Sequence, residues 1–105
     1  MNVLLDQGVP APFRRHLHPH RVDTAAELGW SELQNGDLLR EAVAEGYQVF
    51  VTTDQNLQYQ QNLAACPLGF VVLTSTSWPR IQKYVSAIRR AVERVKPGKC
   101  LVVKV

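Results

Sequence analysis

Four runs of this chain are apolar at consecutive positions: Val3-Leu4-Leu5, Val49-Phe50-Val51, Phe70-Val71-Val72-Leu73 and Leu101-Val102-Val103. A strand with one wet face alternates apolar and polar side chains. An unbroken apolar run is therefore the pattern of a strand covered on both faces, which is how strands of a parallel sheet read. A weaker strand with poor alternation is expected at Arg21-Val22-Asp23-Thr24.

Helical patterns separate the runs. Asp37 to Glu45 carries Leu38, Leu39, Ala42 and Val43 on one face, and Gly46 stands where a C-terminal cap belongs. Asn56 to Ala64 reads as a short polar helix that stops before Cys66-Pro67. After Ser77, with Pro79 in the first turn, the residues Ile81, Tyr84, Val85, Ile88, Ala91, Val92 and Val95 form one stripe at helical spacing, and Pro97-Gly98 ends it. Pro10 to Leu17 reads as a further short helix. The alternation of strand and helix with short connections predicts a three-layer α/β/α domain with a mainly parallel sheet and right-handed crossovers. With 105 residues the chain holds one such domain, residues 1–105, with no linker, repeat or low-complexity tract.

No apolar run reaches the roughly 18 residues of a membrane span, and no charged segment followed by an apolar stretch opens the chain. A cytoplasmic location without membrane contact is expected. Cys66 and Cys100 lack the spacing of a zinc knuckle or a redox pair and read as buried thiols. The net charge of +3 is compatible with an anionic partner and does not identify one.

In open parallel sheets ligands bind outside the carboxyl ends of the strands. The chain has four aspartates, and three of them, Asp6, Asp37 and Asp54, are expected at that edge. Asp6 follows the first strand, Asp54 follows the Val49-Phe50-Val51 strand, and Asp37 starts a helix. Clustered carboxylates repel unless a cation neutralises them, and an all-oxygen set suits Mg²⁺ or Mn²⁺. The other reading is structural. Aspartate is a preferred helix cap, and Asp37 and Asp54 both precede helices. Asp6, before Gln7-Gly8-Val9-Pro10, fits a cap less well. Spacing alone leaves both readings standing.

The opening Asn2-Val3-Leu4-Leu5-Asp6-Gln7 resembles the (K/R)-(I/V)-L-(L/I)-D-E start of bacterial PIN-like domains. Val49-Phe50-Val51-Thr52-Thr53-Asp54-Gln55-Asn56-Leu57 resembles their V-(L/F)-(V/L)-T-x-D-x-D-(F/L) block, and Asn35-Gly36-Asp37-Leu38-Leu39 resembles their D-x-(E/D)-(I/L)-L helix start. The pieces occur in order over nearly the whole chain. The resemblance extends to the VapC-type toxin ribonucleases, and it implies a PIN-like fold and Mg²⁺- or Mn²⁺-dependent hydrolysis of RNA phosphodiesters. Asp6, Asp37 and Asp54 fall on acidic positions of the pattern, as catalytic residues and metal ligands. Thr52 falls on the hydroxyl of the T-x-D block and is implied to orient a carboxylate. The resemblance also implies RNA and a small antitoxin protein as partners; a homodimer is left open.

Three positions depart from the pattern. Gln7 stands for glutamate, and Asn35 and Asn56 stand for aspartates. Each keeps an oxygen and removes a charge, whereas two-metal hydrolysis needs a dense anionic cradle. A PIN-like module that has lost catalysis and binds RNA or protein is therefore the alternative to a nuclease. A receiver-like phosphoacceptor domain is a further one, given Thr74-Ser75 after a strand, although Gln7 stands where receivers carry a second acid. For RNA contacts, Arg14 and Arg15 follow the first strand, and Tyr59 lies in an amide-rich helix suited to unpaired bases or to a solvated surface. Arg80, Lys83, Arg90 and Arg94 on the last helix read as a phosphate strip or, more simply, a solvated face. His16, His18 and His20 share a side in an extended chain but lack a matching metal-ligand set.

Overall fold

The computed structural model describes residues 1–105. All five strands join one parallel sheet: β1 (Asn2–Leu5), β2 (Arg21–Thr24), β3 (Val49–Thr52), β4 (Gly69–Leu73) and β5 (Cys100–Val103), in the order β2-β1-β3-β4-β5. Three of the four consecutive apolar runs occupy β1, β3 and β4, which are buried on both faces as expected. The fourth forms β5, an edge strand whose Leu101 and Val102 are exposed, and the weak Arg21–Thr24 segment is the other edge strand.

Alternation along each strand sends side chains to two cores. Leu4, Phe50 and Phe70 lie in register on one face, where α1 (Asn35–Ala44), α2 (Leu57–Gln60) and a 3-10 turn (Leu63–Ala65) cover them with Leu38, Leu39, Ala42, Leu57 and Leu63. Leu5, Val51 and Val71 lie in register on the other face, beneath a 3-10 helix (Ala11–Leu17), α3 (Trp78–Gln82) and α4 (Val85–Arg94). Two layers of helix around a parallel sheet make the three-layer α/β/α architecture. No helix is long and apolar enough to cross a membrane.

The termination of α1 was written in the sequence. Gly46 adopts φ +83°, its N–H donates to the Val43 carbonyl, and the Tyr47 N–H donates to the Ala42 carbonyl. These two bonds form a Schellman motif, and the left-handed conformation it needs suits glycine.

Four further expectations change. α1 begins at Asn35, so Asp37 sits inside its first turn. The polar helix shortens to Leu57–Gln60. The long last helix is two: Lys83 and Tyr84 N–H groups donate to the Arg80 and Ile81 carbonyls, a tight turn that resets the axis so that Ile81 and Ile88 both reach one core, and Tyr84 is exposed. The crossovers do not share one hand. The β1-to-β2 connection moves left on the α4 face, and the next two move right on the α1 face, which is the same hand. The β4-to-β5 connection moves right on the α4 face, so its hand is opposite. The seven-residue 3-10 helix alone leaves much of that face bare, and α3 and α4 cover it.

β5 closes the sheet with an open edge. The carbonyls of Lys99 and Val103 accept bonds from Phe70 and Thr74, so the backbone groups of Cys100, Val102 and Lys104 turn outward. Cys66 and Cys100 are half-buried free thiols packed against the α1-side core, and burial pushes both thiol pKa values up.

Candidate functional site

With strands in the order 2-1-3-4-5, the connections leave β1 and β3 on opposite faces, so the switch point, where open parallel sheets bind ligands, lies at the carboxyl ends of these two strands. Asp6 is the residue after β1, and Asp54 lies two residues after β3. The buried hydroxyl of Thr52 joins them. Its Oγ1 donates to Asp6 Oδ2 at 2.8 Å and accepts the Asp54 N–H at 3.0 Å. Thr52 is the only fully buried polar side chain of the molecule, and its position is set by the strand register that places it on the α1 face with Phe50.

The other carboxylate oxygens are also held. Asp6 Oδ1 accepts the Gln7 N–H at 2.9 Å, Asp54 Oδ1 accepts the Asn56 N–H at 3.0 Å, and Asp54 Oδ2 accepts from Asn35 Nδ2 at 3.2 Å. The bond to Asn56 is an Asx turn leading into α2, whose N-cap is Asn56 with no side-chain cap bond, so Asp54 is not the helix cap the sequence allowed. Asn35, the first residue of α1, thus carries its amide to the cluster from 19 residues away in sequence. A carboxylate oxygen has two lone pairs, so all four oxygens keep capacity for a cation.

Asp37 is not part of this group. It is exposed and ion-paired with Arg40 on the next turn of α1. Because α1 starts two residues earlier than the sequence suggested, Asp37 projects from the helix flank, and Asn35 takes the inward position. Gln7 is also diverted, donating from Nε2 to the Ser31 carbonyl at 3.1 Å. No group of three or more Asp, Glu, His or Cys side chains converges anywhere in the molecule. The donor set is the carboxylates of Asp6 and Asp54, all oxygen and carrying two charges, while Asn35 turns its amide nitrogen to Asp54. It fits one Mg²⁺-like ion, which commonly uses one or two carboxylates and completes its shell with water and substrate phosphate. It does not fit a pair of metal ions.

A cleft of about 350 Å³ opens beside Asp6 and is floored by Gly8, Val9, Ala11, Thr24 and Thr76. A larger apolar groove of about 510 Å³ along Leu39, Val43 and Cys66 lies on the flank of α1, away from the strand ends. Among the expected RNA contacts, Arg14 is ion-paired with Glu27, Arg15 has no acidic partner, and Tyr59 is 80% exposed on α2. Sequence reading missed the gathering of Arg15, His16 and His18 with Arg89 around one cleft. The signal was present in the histidines, but Arg89 comes from a helix about 70 residues away in sequence.

No protein-family model, no curated protein and no solved structure matches this chain.

Proposed function

We propose that the chain is a cytoplasmic PIN-like ribonuclease domain that uses one Mg²⁺ or Mn²⁺ ion to hydrolyse RNA phosphodiesters. The observation that carries this reading is the Asp6–Thr52–Asp54 bridge at the carboxyl ends of β1 and β3, with Asn35 completing it. The resemblance of the first and third strand regions to PIN-like domains supports RNA as the substrate class and a small antitoxin protein as partner.

Asp6 and Asp54 would hold the ion, which when bound polarises a phosphate oxygen and lowers the pKa of the attacking water. The protein's own part is arrangement. Thr52 fixes the Asp6 carboxylate from within the core, Asn35 fixes that of Asp54, and the adjacent cleft admits a phosphodiester to Asp6. With these carboxylates held, little side-chain freedom is left to lose on binding.

A non-catalytic RNA-binding module is the second reading, favoured by the diversion of Asp37 and Gln7 away from the cluster. A receiver-like role is disfavoured by the reversed last crossover and by the engagement of both Asp54 oxygens.

The test is a thermal melt with and without millimolar MnCl₂, followed by incubation with single-stranded RNA. Mn²⁺ should raise the melting temperature by mass action on the folded state, and wild type should cut RNA only when it is present. Asp6→Asn should abolish both effects, whereas Asp37→Asn should keep the melting response. RNA binding without cleavage would transfer the assignment to the binding module. Indifference to both Mn²⁺ and RNA would remove the nuclease reading.

A further inference from the structure

A second cleft, of about 370 Å³, lies between the 3-10 helix and α4 and is lined by Arg15, His16, His18, Val85, Ser86 and Arg89. No carboxylate lines it. Arg15 has no ion pair. Glu93 accepts from Arg89 at Nε, 3.3 Å, and also meets His20 at 2.7 Å, which leaves the terminal guanidinium nitrogens of Arg89 for another acceptor. Two guanidinium groups, two imidazoles and a hydroxyl around one concavity form a donor-rich, cationic pocket suited to a phosphate group.

Its position connects it to the Asp6 cleft. The same 3-10 helix lines both, through Ala11 at its start and through Arg15 and His16 near its end. At roughly 2 Å rise per residue the two points are about 10 Å apart, within the reach of one short single-stranded segment. The segment after β4 runs alongside, with Thr76 in the Asp6 cleft and Trp78 against His16, ring centroids 5.7 Å apart and tilted by 40°. The two clefts therefore share the 3-10 helix, and the His16–Trp78 contact ties its far end to the segment that carries Thr76 into the Asp6 cleft.

We infer that the Arg15–Arg89 cleft is a phosphate subsite that holds the backbone of a single-stranded RNA a short segment away from Asp6, with the Trp78–His16 pair facing the bases between. This rests on the ribonucleic-acid reading of the Asp6 site. Aromatic faces accept bases of any identity and the arginines engage the backbone, so the track selects for single strands and not for sequence.

The experiment measures anisotropy of a fluorescein-labelled 12-nucleotide oligouridylate in EDTA, over a series of salt concentrations, with the full chain. The variants are Arg15→Gln/Arg89→Gln and a charge-matched control, Lys83→Gln/Arg90→Gln, at two exposed positions outside the cleft. The cleft variant should weaken binding about tenfold or more. It should also flatten the slope of log affinity against log salt by about 1.4, twice the single-strand value of 0.7 per phosphate. The control should shift affinity less than threefold. Arg15→Gln alone, which breaks no ion pair, should lose affinity about threefold and keeps the test decisive if the double variant folds poorly. Equal losses in cleft variant and control, or no RNA binding by wild type, would overturn the inference. So would inorganic phosphate perturbing the His16 and His18 ring resonances while RNA leaves them unmoved, since the cleft would then serve a free anion. Because the assay contains no metal, its failure is distinguishable from a failure of the Mn²⁺ melting response.

Discussion

Replacing Thr52 by valine tests the physical core of the site. The side chain is 0% exposed, and valine matches its shape, so no cavity opens and the change isolates the hydroxyl. Two bonds disappear: the one donated to the Asp6 carboxylate at 2.8 Å and the one accepted from the Asp54 N–H at 3.0 Å. A hydrogen bond to a charged group contributes about 1.5–3 kcal/mol and a neutral one about 0.5–1.5 kcal/mol. Asp6 is only half-buried, so water recovers part of the first, and the added methyl offsets up to about 0.8 kcal/mol. The expected net loss is about 1.5–3 kcal/mol, a large share of the roughly 5–15 kcal/mol stability of a domain. Urea unfolding followed by tryptophan fluorescence reads it as a lower midpoint at unchanged slope. Thr52→Ser keeps both bonds and loses only a buried methyl, and should cost about 1 kcal/mol. A Thr52→Val loss below about 0.5 kcal/mol, or one no larger than that of Thr52→Ser, would refute the view that this hydroxyl ties the two aspartates together.

Two further outcomes follow from neighbouring groups. The Tyr47 hydroxyl donates to Asp23 Oδ2 at 2.6 Å; burial first, then that bond and the Asp23 charge, push its pKa well above the ordinary value near 10. The folded chain therefore keeps a proton that the unfolded chain has lost above pH about 10, so this group's stabilisation is complete below that pH and declines above it. Tyr47→Phe should be less stable at neutral pH, and the gap from wild type should narrow as urea titrations move from pH 9.5 to 11; a constant gap would contradict this. Asn35→Asp places a third carboxylate where an amide now donates to Asp54 Oδ2 at 3.2 Å. It should lower the melting temperature in EDTA and give a larger Mn²⁺-induced rise than wild type, since like charges at that distance call for a cation; an unchanged rise would place the ion elsewhere.

The strands were legible because double-sided burial leaves a local mark: β1, β3 and β4 are apolar at consecutive positions, and Gly46 declared the end of α1. Strand order and the hand of the last crossover were not legible, since they depend on which face the Ile81–Val92 stripe covers, a matter of area left bare elsewhere. Within the site, Asp6, Thr52 and Asp54 are tied to strand ends and were found from the sequence. Asp37 was misplaced by a two-residue shift in where α1 starts, and on a helix such a shift, about 200°, moves a side chain to the other flank. The same shift brings Asn35, read as an oxygen-bearing replacement for an acid, into contact with Asp54 through its amide nitrogen.

The open edge of β5 bears on how the protein behaves in concentrated solution. Two copies meeting there about a twofold axis would pair their edge strands antiparallel, Val102 opposite Val102 and Cys100 opposite Lys104, which brings Lys99 of one copy diagonally beside Lys104 of the other at both ends of a four-residue strand. Leu101 and Val102 are 39% and 48% exposed and favour such contact, so the lysines are what hold the edge apart. That guard is electrostatic and shrinks with the screening length, from about 8 Å in physiological salt to about 3 Å at 1 M. The strong salt used to strip nucleic acid from a basic protein is therefore the condition under which this edge is least protected against sheet-to-sheet joining.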